Sequence, residues 1–516
     1  MHFFKSSFIL SLINVISRIS GYLRDIFIAY FLGTGFHADI YSVACRIPFY
    51  FRTVLFEGAF NLSAIPVINQ IEKRSDRKIF LLKLLKIYLV IFIPIIIVFE
   101  IFTPQILTVF APGFYENPEY ELSVFVARVS FFYLFFIILI AFFTAILNSE
   151  FFFASAGSIH IILNIVLILS LIVASYNSIL AIESIAWALL VAGLIQTLFL
   201  LFNINKQYRK SVISNNSYIK YINKFFILIS PSIAVYGLIN FNKYVAFYYA
   251  SFDIGSLSYL YYSYRVMEIP VSIISLSLSI VLLPTISKHV MNKQADKAFE
   301  VIKKVFRFSL LLMIPSACGL FLLSDSIISV LFERGEFDIL STYNTARALE
   351  LFAIGLPPQA LILILLPYFF TIQRTKNILI YAIITFLVNL LMILFVVEEY
   401  GFKGLAFSLS ISSWIFMLFL ILEYSLINQN LLNREMTIAF SKYILISIII
   451  SVCLIIMMNF SNSLQLSKFF ELIIMILFSV CVYGILAYMI DYKFLSENLK
   501  HITKRVSGVG TSRIQK

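Results

Sequence analysis

Apolar runs of roughly 20 residues recur along this chain almost from end to end, and that recurrence constrains the fold more than any motif does. A helix of about 20 residues crosses about 30 Å of hydrocarbon. The 516 residues are 61% hydrophobic and only 13% charged, whereas a soluble chain of this length would form several domains with far more charge. The fold class expected is therefore an all-α polytopic membrane protein with no sizeable soluble domain. The first apolar run continues past Arg24 and shows no small-residue cleavage site, so no cleavable signal is expected.

About fourteen transmembrane helices are read from the sequence. They fall roughly at 7–32, 38–68, 82–108, 123–148, 152–175 and 182–204, then at 223–250, 257–288, 305–327, 347–372, 377–398 and 402–427, and finally at 439–459 and 468–491. The connections alternate in charge. After span 2 come Lys73, Arg74, Arg77 and Lys78, after span 6 Lys206, Arg209 and Lys210, and after span 8 Lys288, Lys293, Lys297, Lys303, Lys304 and Arg307. The connection after span 3 carries Glu116, Glu119 and Glu121, and "FERGEFD" after span 9 is net acidic. Only "NSEFFF" after span 4 lacks the cation its place calls for. Cations gather on the cytoplasmic side, so the alternation predicts an even number of spans and two cytoplasmic termini. The net charge of +12 is accounted for the same way, and no nucleic-acid partner is expected. The four cysteines lie in apolar runs, and the five histidines have no zinc-ligand spacing, so no metal or disulfide is expected.

A faint repeat runs through the chain. "YSVACRIP" (41–48) resembles "YYSYRVMEIP" (261–270), "FAPGF" (110–114) falls where "FERGEF" (332–337) falls, and "FFTAILN" (142–148) matches the start of "FFTIQRT" (369–375). The common offset predicts two pseudo-symmetric six-helix bundles plus two C-terminal helices. The boundaries are 1–222 for the N-terminal bundle, 223–435 for the C-terminal bundle, 436–491 for the extra pair and 492–516 for a basic cytoplasmic tail. Each half crosses an even number of times, so the repeats run parallel, as in transporters with a substrate path between halves.

The charges inside spans are concentrated. Spans 1 and 2 hold Arg18, Arg24, Asp25, Asp39, Arg46, Arg52 and Glu57, and span 8 holds Arg265 and Glu268. An ionised side chain in hydrocarbon costs about 2.5–3.5 kcal/mol on insertion scales, so each needs a reason. At about 100° per residue Arg18 and Asp25 share a face while Arg24 points elsewhere. Two readings stand open. Arg24, Asp25 and Asp39 either snorkel to a surface or line a cavity. Arg18, Arg52 and Arg265 either make structural salt bridges, Glu268 being a partner three residues from Arg265, or grip an anion. Arginine suits an anionic cavity because it stays charged and its planar fork binds phosphate oxygens in pairs. Pro48 and Pro270 are placed to bend helices beside these charges. Lys243 is left outside the site.

"SRISGYLRD" (17–25), "RIPFYFRTVLFEGAFNLSAIPV" (46–67), "APGF" (111–114), "YRVMEIP" (264–270) and "LLPTISK" (282–288) together resemble the MurJ (MviN) family, lipid II flippases of the multidrug/oligosaccharidyl-lipid/polysaccharide exporter superfamily. The resemblance covers nearly the whole chain and weakens in the last two spans. It implies carriage of the undecaprenyl-diphosphate-linked disaccharide pentapeptide from the inner to the outer leaflet of a bacterial cytoplasmic (inner) membrane. By the same resemblance Arg18, Arg24, Arg52 and Arg265 match the family's substrate-binding arginines. Asp39 and Glu57 match the family's acidic pairing and gating positions, and Asp25 and Glu268 join them as cavity pairing or gating groups on the reading of the residues alone. The nearly charge-free last two helices match a groove for the prenyl tail. Some relatives hold sodium between spans 7 and 11. Here those spans offer Asn240, Asn242 and Asn389 but no carboxylate, so no bound sodium is expected.

The mechanism expected is alternating access without hydrolysis, since no P-loop is present. No cofactor is expected, and the drive is assigned to the membrane potential or a monovalent ion. Partners follow: lipid II, membrane lipids, and candidate proteins of cell-wall synthesis or division. A drug exporter would favour acids over arginines in its cavity. A flippase for another prenyl-diphosphate-linked oligosaccharide fits the arginines equally well and is separated only by the family motifs. A membrane glycosyltransferase would need catalytic carboxylates in a loop, and the short acidic loop here reads as a solvated face.

Overall fold

The structure is a computed structural model that describes residues 2–52, 74–149, 152–205 apart from 178, 218–275, 294–427 apart from 373, 433–461 and 467–496 apart from 493, with isolated positions between them. Among the described residues every regular element is a helix. In chain order they are α1 (His2–Leu32), α2 (Phe36–Ile40), a π-helical turn (Tyr41–Cys45), α3 (Ile47–Phe51), α4 (Arg74–Ile101), α5 (Thr103–Phe110), a 3-10 helical turn (Pro112–Glu116), α6 (Tyr120–Phe131), α7 (Tyr133–Ser149), α8 (Phe153–Gly157), α9 (Ile159–Asn177), α10 (Ala181–Asn205) and α11 (Tyr218–Ala250). They continue with α12 (Ser256–Pro270), a second π-helical turn (Val271–Ser275), α13 (Ala295–Leu322), α14 (Ser324–Phe332), α15 (Ile339–Ile354), α16 (Leu356–Thr371), α17 (Thr375–Ile427), α18 (Arg434–Ser461) and α19 (Lys468–Ile490).

Eight of the described helical stretches are long and apolar enough to cross a membrane, and nine if α15 and α16, bent by 48° at Gly355, form one span. One of the eight is α17, whose 53 residues rise about 80 Å, more than twice the hydrocarbon thickness. Gly401 breaks it with φ 52° and ψ −134°, between the two spans read there from sequence. Much of the second predicted span, residues 53–66, lies outside the described residues.

Close contacts divide the chain into two compact units. The first gathers Met1–Tyr262, Leu331–Ala348 and Thr375–Leu409, and the second Ser263–Val330, Leu349–Arg374 and Ser410–Lys516. In the first, α1 lies along α9, α9 along α10, and α10 along α7. In the second, α13 packs on α16 and α18, and α18 on α19. Lipid supplies no hydrophobic drive for one apolar helix to meet another, so close packing and buried polar bonds must hold these pairs.

α1 stops at Gly33, whose φ of +57° closes the helix with an N–H bond of 2.9 Å to the Ala29 carbonyl. The same glycine admits a close neighbour: a Cβ there would lie 2.3 Å from the Glu336 carbonyl oxygen. Glu336 N–H in turn donates to the Tyr30 carbonyl at 2.9 Å, so the end of α1 and the 333–338 connection are bonded backbone to backbone.

Candidate functional site

The charged side chains of α1 separate into two kinds. Arg24 and Asp25 are buried, 9% and 1% exposed, and bond each other. Arg24 Nη2 donates to Asp25 Oδ1 at 2.7 Å and Nε donates to the same oxygen at 3.0 Å, while Nη1 donates to Asn164 Oδ1 on α9 at 3.0 Å. Adjacent helical residues do not normally face each other. The long arginine stem folds back to make this pair, which a wheel of Cβ directions does not foresee. Asn164 completes the joint by donating to Ser20 Oγ at 2.9 Å and the Ser17 carbonyl at 3.3 Å. Tyr261 O–H donates to Asp25 Oδ1 at 2.9 Å, and the Arg46 guanidinium lies 4.5 Å from the centre of the Tyr261 ring. The result is a buried polar cluster of Arg24, Asp25, Asn164 and Tyr261, with the half-buried Arg46 against the Tyr261 ring.

Arg18, one and a half turns before Arg24, is of the other kind. It is half-buried, and no hydrogen bond or ion pair engages it among the described residues. Arg52, at the end of α3, is also half-buried, with its guanidinium 5.2 Å from the centre of the Phe49 ring.

Asp39 is 1% exposed and, among the described residues, accepts hydrogen bonds rather than forming an ion pair. Its Oδ2 accepts from Gly255 N–H at 2.6 Å, and Oδ1 accepts from Ser258 N–H at 2.9 Å and from the Ser258 hydroxyl. The carboxylate thus caps the start of α12, where orphan N–H groups and the helix dipole favour an anion. The pairing with arginine expected of Asp39 is replaced by this cap. None of Arg24, Asp25 and Asp39 snorkels to a surface; all three are buried within protein.

In the second unit Arg265 Nη1 donates to Glu268 Oε2 at 3.2 Å across one helical turn, with both side chains partly exposed. Tyr264 beside them donates to Gln359 Oε1 at 3.4 Å. Pro270 closes α12 and the π-helical turn follows it, whereas Pro48 opens α3 just after the other π-helical turn. Each proline therefore sits at a change of helix type, not in the middle of a regular helix. Such π-helical interruptions recur at functional sites. Glu57 lies outside the described residues. Asn389 Nδ2 reaches Asn242 Oδ1 at 3.4 Å. Among the described residues no three His, Cys, Asp or Glu side chains are grouped to hold a metal.

Sequence reasoning left out Asn164, Tyr261 and Ser258. All are neutral, and each meets its charged partner across more than a hundred residues of chain. It counted Arg46 among the charges but gave it no role, and its ring contact had no signal in spacing.

The arrangement offers cationic donors and a rigid polar joint, which suits binding an anion. The comparisons with known proteins agree on one family. A family model described as "Lipid II flippase MurJ" matches residues 28–496. A protein of Rickettsia prowazekii (strain Madrid E) named "Probable lipid II flippase MurJ" is 33% identical over 430 residues, covering 82% of this chain and 84% of its own. A protein of Buchnera aphidicola subsp. Schizaphis graminum (strain Sg) with the same name is 28% identical over 517 residues, covering 98% and 99%. Among solved structures, "Lipid II flippase MurJ, inward closed conformation" superposes with a TM-score of 0.79 at 25% identity, over 94% of this chain and 99% of that one. An inward-facing multidrug resistance MATE family transporter of the MOP superfamily, 12% identical with a TM-score of 0.64 over 81% of this chain and 97% of its own, shares the fold.

Proposed function

The chain belongs to the MurJ family of lipid II flippases, and we propose from that membership and the arginines of α1, α3 and α12 how it works. It is a multi-pass membrane transporter, not an enzyme, and its substrate is lipid II. One observation carries the reading: the family match runs from residue 28 to residue 496, through both predicted halves.

The protein moves lipid II from the inner to the outer leaflet of the bacterial cytoplasmic membrane by alternating access. Both termini face the cytoplasm, with the bundles at 1–222 and 223–435, the extra helix pair at 436–491 and the basic tail at 492–516. Arg18, Arg52 and Arg265 contact the diphosphate. Glu268 holds Arg265 when no substrate is present. Arg24 and Asp25 form the joint that keeps Arg18 in place, and Asp39 fixes the start of α12. The prenyl tail remains in lipid. A diphosphate carries about two negative charges, and each is worth about 2.3 kcal/mol per 100 mV. With the inside negative, outward passage of the anion is favoured, and so is inward return of the empty cationic site.

The test is rescue. In cells depleted of their own lipid II flippase, this chain should restore lipid II on the outer leaflet, read by a periplasmic enzyme that cleaves it. Dissipating the membrane potential should stop that exposure. A well-inserted chain that restores nothing contradicts the substrate, and exposure that survives loss of the potential contradicts the drive.

A further inference from the structure

In α18 and α19 only 28% and 17% of the apolar 18-residue stretch is buried, which leaves both helices wide apolar faces outside the protein interior. Lipid solvates such apolar faces as well as protein does, and packing alone gives them little reason to stay. Their inward polar groups converge on α13 and α14. Arg307 of α13 is the hub. Its Nη2 donates to both oxygens of Asp491, just past the end of α19, at 2.7 and 2.8 Å. Its Nη1 donates to Glu435 of α18 at 2.7 Å, and its Nε to the Tyr443 hydroxyl at 3.2 Å. Tyr443 O–H donates to Asp491 at 2.5 Å, and Lys303 donates to the other Glu435 oxygen at 2.5 Å. Lys442 donates to the Ile490 carbonyl at 3.1 Å, which places a cation at the carboxyl end of α19. The Phe494 ring covers the guanidinium at 4.3 Å. Two further ties follow along α19: Tyr483 O–H to the Leu311 carbonyl at 2.5 Å and Lys468 to Ser329 at 3.0 Å.

We propose that Arg307 is a positioning residue for flipping: through Asp491, Tyr443 and Glu435 it latches the α18–α19 pair to α13, so that the pair moves with the second unit as one body. This rests on the flippase reading above. Asp491 is 5% exposed and Tyr443 fully buried, so this arm of the latch is protected and its ion pair holds its geometry, while the Glu435 arm is exposed. The planar guanidinium sends Nη2 to Asp491, Nη1 to Glu435 and Nε to Tyr443, so one side chain of α13 ties both helices at once.

The test uses the full chain with its four cysteines changed to serine, expressed in the flippase-depleted host. In Arg307→Cys/Asp491→Cys the latch is absent until a short, membrane-permeant bifunctional thiol reagent restores the link without restoring any charge. Flipping should fall about tenfold or more before bridging, with insertion unchanged, and return to within about threefold of the parent after it. Asp491→Asn, which keeps the shape but not the charge, should also lose flipping while inserting normally. That covers the case in which the double variant does not accumulate. Unbridged double variant or Asp491→Asn flipping at the parent rate overturns the latch. So does a bridged, well-inserted variant that stays inactive, because a positioning role needs only the link. If the parent chain exposes no lipid II, the flippase reading fails first and the latch's role in flipping fails with it.

Discussion

The first helix and the last pair treat charge in opposite ways. α1 carries Arg18, Arg24 and Asp25 in its body, whereas α18 and α19 keep their cations and acids at or near their ends, with Glu435 and Asp491 serving Arg307. A charge at a helix end can reach water or a neighbouring loop, and it ties the helix down at little cost. A charge in the body of a helix must be satisfied inside the protein. Arg24 and Asp25 meet that demand with each other, Asn164 and Tyr261. Arg18 is half-buried and meets no such partner among the described residues, and this sets α1 apart from a merely well-built helix. The number of charges in a span therefore says less about function than which of them are already committed.

Substitutions on either side test this contrast. The largest loss of stability is expected for Asp25→Ala, which strands the Arg24 guanidinium in a buried place, at about 3–5 kcal/mol. Thermal unfolding of the purified protein in detergent should show a large drop, and an unchanged midpoint would mean that the pair is not a structural joint. Gly335→Ala comes next. Its φ is +63°, and a Cβ there would lie 2.4 Å from the Tyr30 carbonyl oxygen, so about 2 kcal/mol is expected from the left-handed backbone and the displaced neighbour together. Asp39→Asn should cost about 1 kcal/mol, because the α12 cap loses its charge and one of its acceptors. Amide exchange at Gly255 and Ser258 should quicken in that variant, and unchanged exchange would contradict the cap. The smallest effect belongs to Arg18→Ala, expected to leave stability within about 0.5 kcal/mol of the parent.

The helical architecture was legible because apolar length is a local signal. Even the break in α17 was readable, since two runs met around Gly401. The site was legible only in part. Helical spacing put Arg18 and Asp25 on one face and set Arg24 aside, yet Arg24 is the residue that bonds Asp25. Spacing tracks where a side chain leaves the backbone, not where a long one ends. The carboxylate of Asp39 was noticed, but its true partners, Gly255 and Ser258, lie 216 and 219 residues away. Arg307 was absorbed into the basic edge of a predicted cytoplasmic loop, because its partner Asp491 is 184 residues further on. Pairings made by tertiary folding leave no periodic trace in one sequence.

The most direct measurement pairs two readings on Arg18→Ala: its unfolding midpoint, and its lipid II exposure in cells depleted of their own flippase. An unchanged midpoint with exposure lost is the result predicted for a guanidinium held in reserve for a diphosphate. Normal exposure at normal expression would contradict that role, and a collapsed midpoint would show that Arg18 is structural after all.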